Sequence, residues 1–120
     1  MGALRVGHIE IFTRDVARAR EFYEHVLGAT IGEVQHGGKV VWLFFGATQL
    51  LLRQGSPPRA PGAYARAAVG FVLYCDGLNA TAAALRKRGL EFAGTDGSPR
   101  CLTFQDPDGN WFQLVDPKEQ

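Results

Sequence analysis

Residues 104–117 read FQDPDGNWFQLVDP, and the fold of the whole chain can be worked out from this stretch. Its turn, at residues 106–109, has proline where φ must be near −65° and glycine to close it, which is typical of a type I turn. The apolar residues that follow predict a strand, yet Gln113 lies in the middle of them. This glutamine is a solvent-facing residue, a structural hydrogen-bonding group, or the remnant of a metal ligand.

The first part of the chain has the pattern strand, helix, strand, strand, strand. The β-rich alternation over residues 5–13 predicts the first strand. Apolar residues then recur at helical spacing up to Leu27, with Asp15 to cap the start of the helix and Gly28 to end it. Three further strands are predicted from the segments ATIGEVQ, KVVWLFF and TQLLLRQ, which are residues 29–35, 39–45 and 48–54.

The second part of the chain repeats this order after a linker over residues 55–67, which is rich in proline, glycine and alanine. The segment AVGFVLYC predicts a strand. The segment LNATAAALRKRG predicts a helix with Leu78, Ala82 and Leu85 on one face and Gly89 at its end. The remaining three strands are predicted from LEFAG, CLTFQ and NWFQLVD, which are residues 90–94, 101–105 and 110–116.

Two βαβββ modules of about fifty residues each indicate an internal duplication. We therefore predict a single α+β domain over residues 1–120, with module one at residues 4–54 and module two at residues 68–117. Neither module could bury both its sheet face and its helix alone. The expected solution packs one helix on each curved mixed sheet and leaves the two sheets around a shared cleft. A ferredoxin-like α+β sandwich with extra strands is the alternative, and it predicts no such repeat.

The composition gives little support to several classes of function. The net charge is +1 and the basic residues are scattered, which disfavours binding to nucleic acid or to an anionic membrane. No apolar run is long enough to cross a bilayer, and MGALRVGHIE lacks the pattern of a secretory signal, so we expect a cytoplasmic protein. Cys75 and Cys101 each lie in an apolar stretch and are expected to be buried free thiols.

The βαβββ duplication, the stretch GHIEIFTRDVARAREFYEHVLGA near the front and the stretch FQDPDGNWFQLVDP near the back resemble the vicinal oxygen chelate superfamily. That group includes glyoxalase I, extradiol dioxygenases, fosfomycin-resistance enzymes and bleomycin-resistance proteins. The resemblance covers nearly the whole chain. It implies a glyoxalase/bleomycin resistance-type fold and a small-molecule site in the cleft.

The resemblance also implies a position for each ligand of the divalent metal that enzymes of this superfamily hold. Those ligands lie on strands one, four, five and eight and point into the cleft. The strand-one position is His8, and the strand-eight position is Gln113, where a glutamate is usual. The strand-five position falls at Gly70 and the strand-four position at or near Leu51, and neither side chain can ligate a metal.

This donor set predicts that no metal cofactor is bound. A catalytic divalent site normally has at least three protein ligands, and anionic ligands offset the cost of dehydrating the ion. Glu10 is two residues from His8 on the same strand face, and a register slip could bring Gln49 inward. If the protein is an enzyme with one divalent metal ion, we expect the ligands His8, Gln113 and Glu10.

Strand alternation then predicts which side chains line the cleft. If His8 faces the cleft, the residues two and four positions away share its face, and the same count applies around Gly70 and Gln113. The expected ligand-binding residues are His8, Glu10, Phe12, Trp42, Phe44, Gln49, Leu51, Gly70, Val72, Tyr74, Trp111 and Gln113. Gly70 would leave open space for a ligand. Such a lining suits a planar, partly polar small molecule.

The leading hypothesis is therefore a homodimer that binds or sequesters a small molecule, as the metal-free, drug-binding branch of the family does. The competing hypothesis is a metal-dependent lyase, isomerase or dioxygenase of the glyoxalase type. A third is metal-free acid–base chemistry by the pair formed by Glu10 and His8, and a fourth is a subunit with only a structural or interaction role. His25 and His36 are expected to face solvent.

Overall fold

A computed structural model describes residues 2–120 of the chain. It separates into two compact units, one ending at Pro57 and the other running from Pro58 to Gln120. Among the helices formed by these residues there is none with the length and apolar character needed to cross a membrane.

The first unit is a four-stranded sheet with one helix, in the predicted order of elements. Its strands lie in the order β1-β4-β3-β2, with β1 parallel to β4 and the other pairs antiparallel. The elements are β1 (Ile9–Thr13), α1 (Val16–Glu21), a π-helical turn (Phe22–Val26), β2 (Thr30–Gln35), a short 3-10 turn (His36–Gly38), β3 (Val40–Phe45) and β4 (Thr48–Gln54).

The helical segment of the first unit lies within the predicted range, with α1 ending at Glu21 and a π-helical turn continuing it to Val26. The Asp15 carboxylate accepts a hydrogen bond from the Arg18 backbone N–H at 3.1 Å, which caps the first turn. Gly28 has a φ of +78°, which lets the Ala29 N–H reach back 2.8 Å to the carbonyl of Tyr23. Tyr23 is fully buried, and its ring lies 6.4 Å from that of Phe45, so the helix covers this face of the sheet.

The second unit has a three-stranded sheet in the order β5-β7-β6, with β5 parallel to β7 and β6 antiparallel to it. Its elements are a 3-10 turn (Tyr64–Arg66), β5 (Phe71–Tyr74), α2 (Leu78–Lys87), β6 (Cys101–Gln105), β7 (Trp111–Val115) and a terminal 3-10 turn (Pro117–Glu119). The predicted apolar face of α2 is confirmed, because Leu78, Ala82 and Leu85 are buried.

The core of the second unit is a row of stacked aromatic rings. The ring of Phe104 stacks on that of Phe112 at 5.2 Å, and Phe71 lies 5.0 Å from Phe112 on the other side. Phe92 meets Phe104 edge to face, and the guanidinium of Arg86 on α2 lies over Phe92 at 4.9 Å. These contacts place α2 on the phenylalanine face of the sheet, which leaves the opposite face without a helix.

Two predicted strands differ from the structure. Residues 90–94 do not form a regular strand, although Thr103 of β6 exchanges backbone hydrogen bonds with Ala93 and Gly94. Gly94 has a φ of +95°, which ends the extended conformation at that point. Strand β1 begins at Ile9 rather than at residue 5. Counting back from the Ile9–Leu50 pair, residue 7 would pair with Thr48, the first residue of β4, so residues 5 and 6 have no partner in that strand.

The segment predicted as a linker is ordered against its neighbours. Residues 58–67, which we call the strap, cross the helix-free face of the second sheet. The indole N–H of Trp111 donates a 2.7 Å hydrogen bond to the carbonyl of Pro61. A Cβ on Gly109 would lie 2.9 Å from the Cβ of Ala60, so the DPDGN turn touches the start of the strap.

Asp116, which follows β7, ties the C-terminal end of the chain to the start of α2. Its buried carboxylate accepts hydrogen bonds from the backbone N–H groups of Gly77, at 2.7 Å, and Lys118, at 2.8 Å. These two bonds, first that from Gly77, lower the pKa of Asp116 below its ordinary value. Because Gly77 has no side chain to cap α2, Asp116 supplies the capping acceptor.

We predict that Asp116→Asn lowers the stability of the protein and weakens its dependence on acid pH. A carboxyl whose pKa is lower in the native state stabilises that state above its unfolded pKa, and this stabilisation is lost as pH falls through the native pKa. The difference in urea midpoint between wild type and variant should therefore be largest near neutral pH and shrink between about pH 5 and about pH 2. Asp76→Asn, at an exposed carboxylate, is the matched control. A difference that stays constant across this range would contradict the assignment.

Candidate functional site

Seven of the predicted ligand-binding residues lie on the helix-free face of the first sheet. Residues paired across neighbouring strands share a face, and Glu10, Leu51 and Trp42 form one such row. Phe44 pairs with Gln49 in another row. The residues of this face are His8, Glu10, Phe12, Trp42, Phe44, Gln49 and Leu51, with His8 placed there by alternation just before β1. Leu51 is only 1% exposed.

A polar cluster of His8, Glu10 and Arg53 lies on this face. The Nε2 of His8 is 3.1 Å from Oε2 of Glu10, and the Nε of Arg53 is 3.0 Å from Oε1 of the same carboxylate. The His8 ring also contacts the Trp42 ring at 4.8 Å, and the Trp42 indole donates to the side-chain oxygen of Gln35. Both oxygens of Glu10 are therefore engaged, one by an imidazole and one by a guanidinium.

Five of the predicted residues lie together in the second unit, on the sheet face opposite the phenylalanine core. Val72 pairs with Gln113, which in turn pairs with Thr103. The members of this face are Gly70, Val72, Tyr74, Trp111 and Gln113, with Gly70 placed there by alternation just before β5. Over β5 the face is open, since Tyr74 is 75% exposed, whereas over β7 Trp111 and Gln113 are buried.

A groove of about 470 Å³ lies in the second unit between the strap and the loop that precedes β6. Its walls carry the rings of Tyr64 and Trp111, whose centroids are 6.1 Å apart and nearly perpendicular. Its lining residues are Gly62, Ala63, Tyr64, Ala65, Ala93, Thr95, Asp96, Thr103 and Trp111. The lining is thus aromatic and small apolar, with three hydroxyls, those of Tyr64, Thr95 and Thr103, and one carboxylate.

Gln113 is hydrogen-bonded to the carboxylate of Asp96, which lines the groove. Its side-chain amide donates a hydrogen bond to Oδ2 of Asp96, while Oδ1 of Asp96 accepts from the backbone N–H of Ser98. The glutamine that interrupts the last strand is therefore a buried hydrogen-bonding residue, which was one of the interpretations left open by the sequence. Its hydrogen-bond partner is Asp96, a residue that the sequence analysis did not single out.

The space beside Gly70 is filled by the chain itself. A Cβ placed on Gly70 would lie 2.7 Å from the hydroxyl oxygen of Tyr64 and 3.1 Å from the carbon that bears it. The expectation that Gly70 leaves room for a ligand is therefore wrong, because the strap places an aromatic ring there. Sequence reasoning missed Tyr64 for the same reason, since it lies in a segment interpreted as a linker.

The donors near the family's metal positions do not fit a divalent cation. Within residues 2–120 there is no group of three or more His, Cys, Asp or Glu side chains that could hold a metal ion. Around His8, the one carboxylate is already paired with Arg53, whose positive charge opposes a cation. Gln113 directs its amide N–H at Asp96, and Leu51 and Gly70 contribute no donor atom.

The two thiols are not activated as nucleophiles, and the remaining histidines are exposed. Both cysteines are free, with Cys101 buried and Cys75 partly buried. Burial raises the pKa of the Cys101 thiol, and the nearby charge of Asp96 raises it further. Burial likewise raises the pKa of Cys75, so both thiols stay protonated near neutral pH. His25 and His36 are exposed, as predicted.

Comparison with known proteins gives a consistent family and fold. The family model described as Glyoxalase/Bleomycin resistance protein/Dioxygenase superfamily matches residues 5–114. TnmS3, an antibiotic binding protein from Streptomyces sp. CB03234, is 28% identical with a TM-score of 0.72, and 98% of each chain is covered. UcmS2 is also 28% identical, with a TM-score of 0.71 over 96% of this chain and 99% of that chain. These similarities confirm the predicted fold.

A curated relative matches over a shorter stretch. The mitochondrial methylmalonyl-CoA epimerase of Bos taurus is 38% identical over 52 residues, which cover 40% of this chain. The matching stretch spans only 30% of the length of that protein.

We predict that Gly70→Ala displaces Tyr64 from the groove. The added Cβ would overlap the Tyr64 hydroxyl, so the ring must move, at a cost of about 1–3 kcal/mol if the strap resists. In a Trp42→Phe background, where Trp111 is the remaining tryptophan, the emission spectrum should change and the urea midpoint should fall. Gly62→Ala, within the strap and with no atom near its Cβ, is the matched control.

The same substitution in a Tyr64→Ala background provides a second control. With the ring removed, Gly70→Ala should add little further loss of stability, because the overlapping atoms are gone. Equal effects of Gly70→Ala in the presence and absence of the Tyr64 ring would contradict the contact.

Proposed function

The chain belongs to the Glyoxalase/Bleomycin resistance protein/Dioxygenase superfamily, and we propose that it binds a planar, partly polar small molecule without transforming it. The observation that carries this proposal is the groove under the strap, where the Tyr64 and Trp111 rings share a wall with the Asp96 carboxylate. Small-molecule sites are typically concave and apolar, with a few polar groups that orient the ligand.

The aromatic walls favour a flat ligand. Trp and Tyr rings offer large contact areas with little loss of side-chain freedom, and stacked or edge-to-face aromatic pairs contribute about 0.5–1.5 kcal/mol beyond the area that they bury. Trp111 is fixed by its hydrogen bond to Pro61, so it meets a ligand already oriented. A volume of about 470 Å³ lies within the usual range for such sites.

Two further observations support binding rather than metal-dependent chemistry. TnmS3, with which the chain aligns over nearly its full length, is an antibiotic binding protein. The donor set around His8 and Gln113 supplies too few anionic ligands to offset the dehydration of a divalent ion. We therefore extend the proposal to a site that works without a metal cofactor.

Tryptophan fluorescence tests this proposal, since each unit contains one tryptophan. The protein would be titrated with bleomycin and with a panel of planar aromatic compounds, following the quenching of emission. We expect saturable quenching by at least one compound, retained in Trp42→Phe and lost in Trp111→Phe. Absence of quenching across the panel would contradict a binding function, and quenching that requires Trp42 alone would place the site outside the groove.

A second candidate function is a metal-dependent lyase or isomerase. The partial match to methylmalonyl-CoA epimerase and the close pairing of His8 with Glu10 favour it. Incubation with zinc, nickel, manganese or iron salts, followed by gel filtration and elemental analysis, distinguishes the two. On the binding proposal we expect much less than one ion per chain. One ion per chain, lost in His8→Ala and kept in the control His25→Ala, would favour the enzyme instead.

A further inference from the structure

We infer that the groove selects a positively charged aromatic ligand, and that Asp96 determines this selectivity. The inference rests on the proposed function and narrows it to one chemical class, a flat ring system that carries an ammonium or amidinium group. It stands on the charge of the lining, on the free acceptor capacity of one carboxylate, and on the arrangement of two aromatic rings.

The lining of the groove has a single sign of charge. Of the nine residues that line it, all within the part of the chain that the structure describes, Asp96 is the one that carries a charge at neutral pH. A concave site with one carboxylate and no lining cation attracts a cation and repels an anion. Because Asp96 is exposed, salt screens this preference.

Three other polar groups of the lining already have hydrogen-bond partners within the protein. The Thr103 hydroxyl donates to the carbonyl of Ala93, and the Thr95 hydroxyl oxygen accepts from the backbone N–H of Gly97. The Trp111 indole N–H is taken by the carbonyl of Pro61. A ligand that enters the groove therefore finds Asp96 as its charged partner.

Asp96 keeps acceptor capacity for a ligand. A carboxylate has about four acceptor positions, and this one accepts from Gln113 on one oxygen and from Ser98 on the other, with the Cys101 thiol as a further neighbour. These two bonds hold the carboxylate in place, which lowers the entropic cost of meeting a ligand ammonium group. Gln113 is in this respect a positioning residue for Asp96.

The two aromatic rings also attract a cation. The negative face of an aromatic ring attracts a cation that lies within about 6 Å of its centroid. The Tyr64 and Trp111 rings meet edge to face at 86°, and both residues line the groove. A cation near Asp96 that also contacts the face of a lining ring is attracted by both groups, whereas a carboxylate in the same position is repelled by both.

Three fluorescent probes that share one ring system test the inference. These are 9-(aminomethyl)anthracene, which is cationic, 9-anthracenemethanol, which is neutral, and 9-anthracenecarboxylate, which is anionic. We expect affinity to fall in that order, with the cationic probe bound about fivefold or more tightly than the neutral one at low salt. Raising NaCl from about 20 to about 300 mM should reduce the advantage of the cationic probe and leave the neutral probe unchanged.

The variant Asp96→Asn should lower the affinity for the cationic probe by about three- to tenfold and change that for the neutral probe by less than about twofold. Asp76→Asn removes the same charge from an exposed site outside the groove and should leave all three affinities unchanged. Binding of the neutral probe also reports that each variant is folded.

The possible outcomes distinguish the charge selectivity of the groove from the proposed binding function. Equal binding of the three probes to wild-type protein would overturn the charge selectivity and leave the binding function standing. Failure of all three probes to bind would overturn both. If Asp96→Asn loses the neutral probe as well, the order of affinities and the salt dependence of the wild-type protein decide the matter alone.

Discussion

The groove depends on one hydrogen bond, from the indole of Trp111 to the carbonyl of Pro61. This bond fixes the strap to the last strand, and the absence of a side chain at Gly70 lets the hydroxyl end of the Tyr64 ring approach the same face. Without these two contacts, the helix-free face of the second sheet would be a bare surface rather than a lined volume. The recognition proposed here thus arises from a segment with little secondary structure, held by a rigid strand beneath it.

Much of the fold could be predicted from the sequence because it depends on local patterns. Helical spacing and capping place α1 and the π-helical turn between Asp15 and Gly28, and alternation along β4 and β7 decides which residues share a face. That is why all twelve residues expected to line the site lie on the two helix-free faces. Alternate residues of a strand share a face wherever the strand begins, so an error in the predicted start of a strand does not change this assignment.

The remainder depends on contacts between residues far apart in sequence, which no local pattern specifies. Asp96 meets Gln113 across 17 positions, and Trp111 meets Pro61 across 50. The composition of residues 55–67 predicts a linker, yet the strap within it contacts partners that come later in the chain, such as Trp111. Similarly, residues 90–94 predict a strand, but the segment is irregular. Gly94 has a positive φ, and Thr103 pairs with both Ala93 and Gly94 instead of with one residue.

On the proposed function, the polar residues at the positions that the family resemblance assigns to metal ligands serve a chemistry other than metal binding. At a divalent site, His8, Glu10 and Gln113 would direct their lone pairs at an ion. Here Glu10 is neutralised by Arg53, and Gln113 turns a donor N–H toward Asp96. An amide that donates to a carboxylate stabilises a fixed negative charge, and a fixed negative charge beside two aromatic faces favours an organic cation over a dication that demands several ligands.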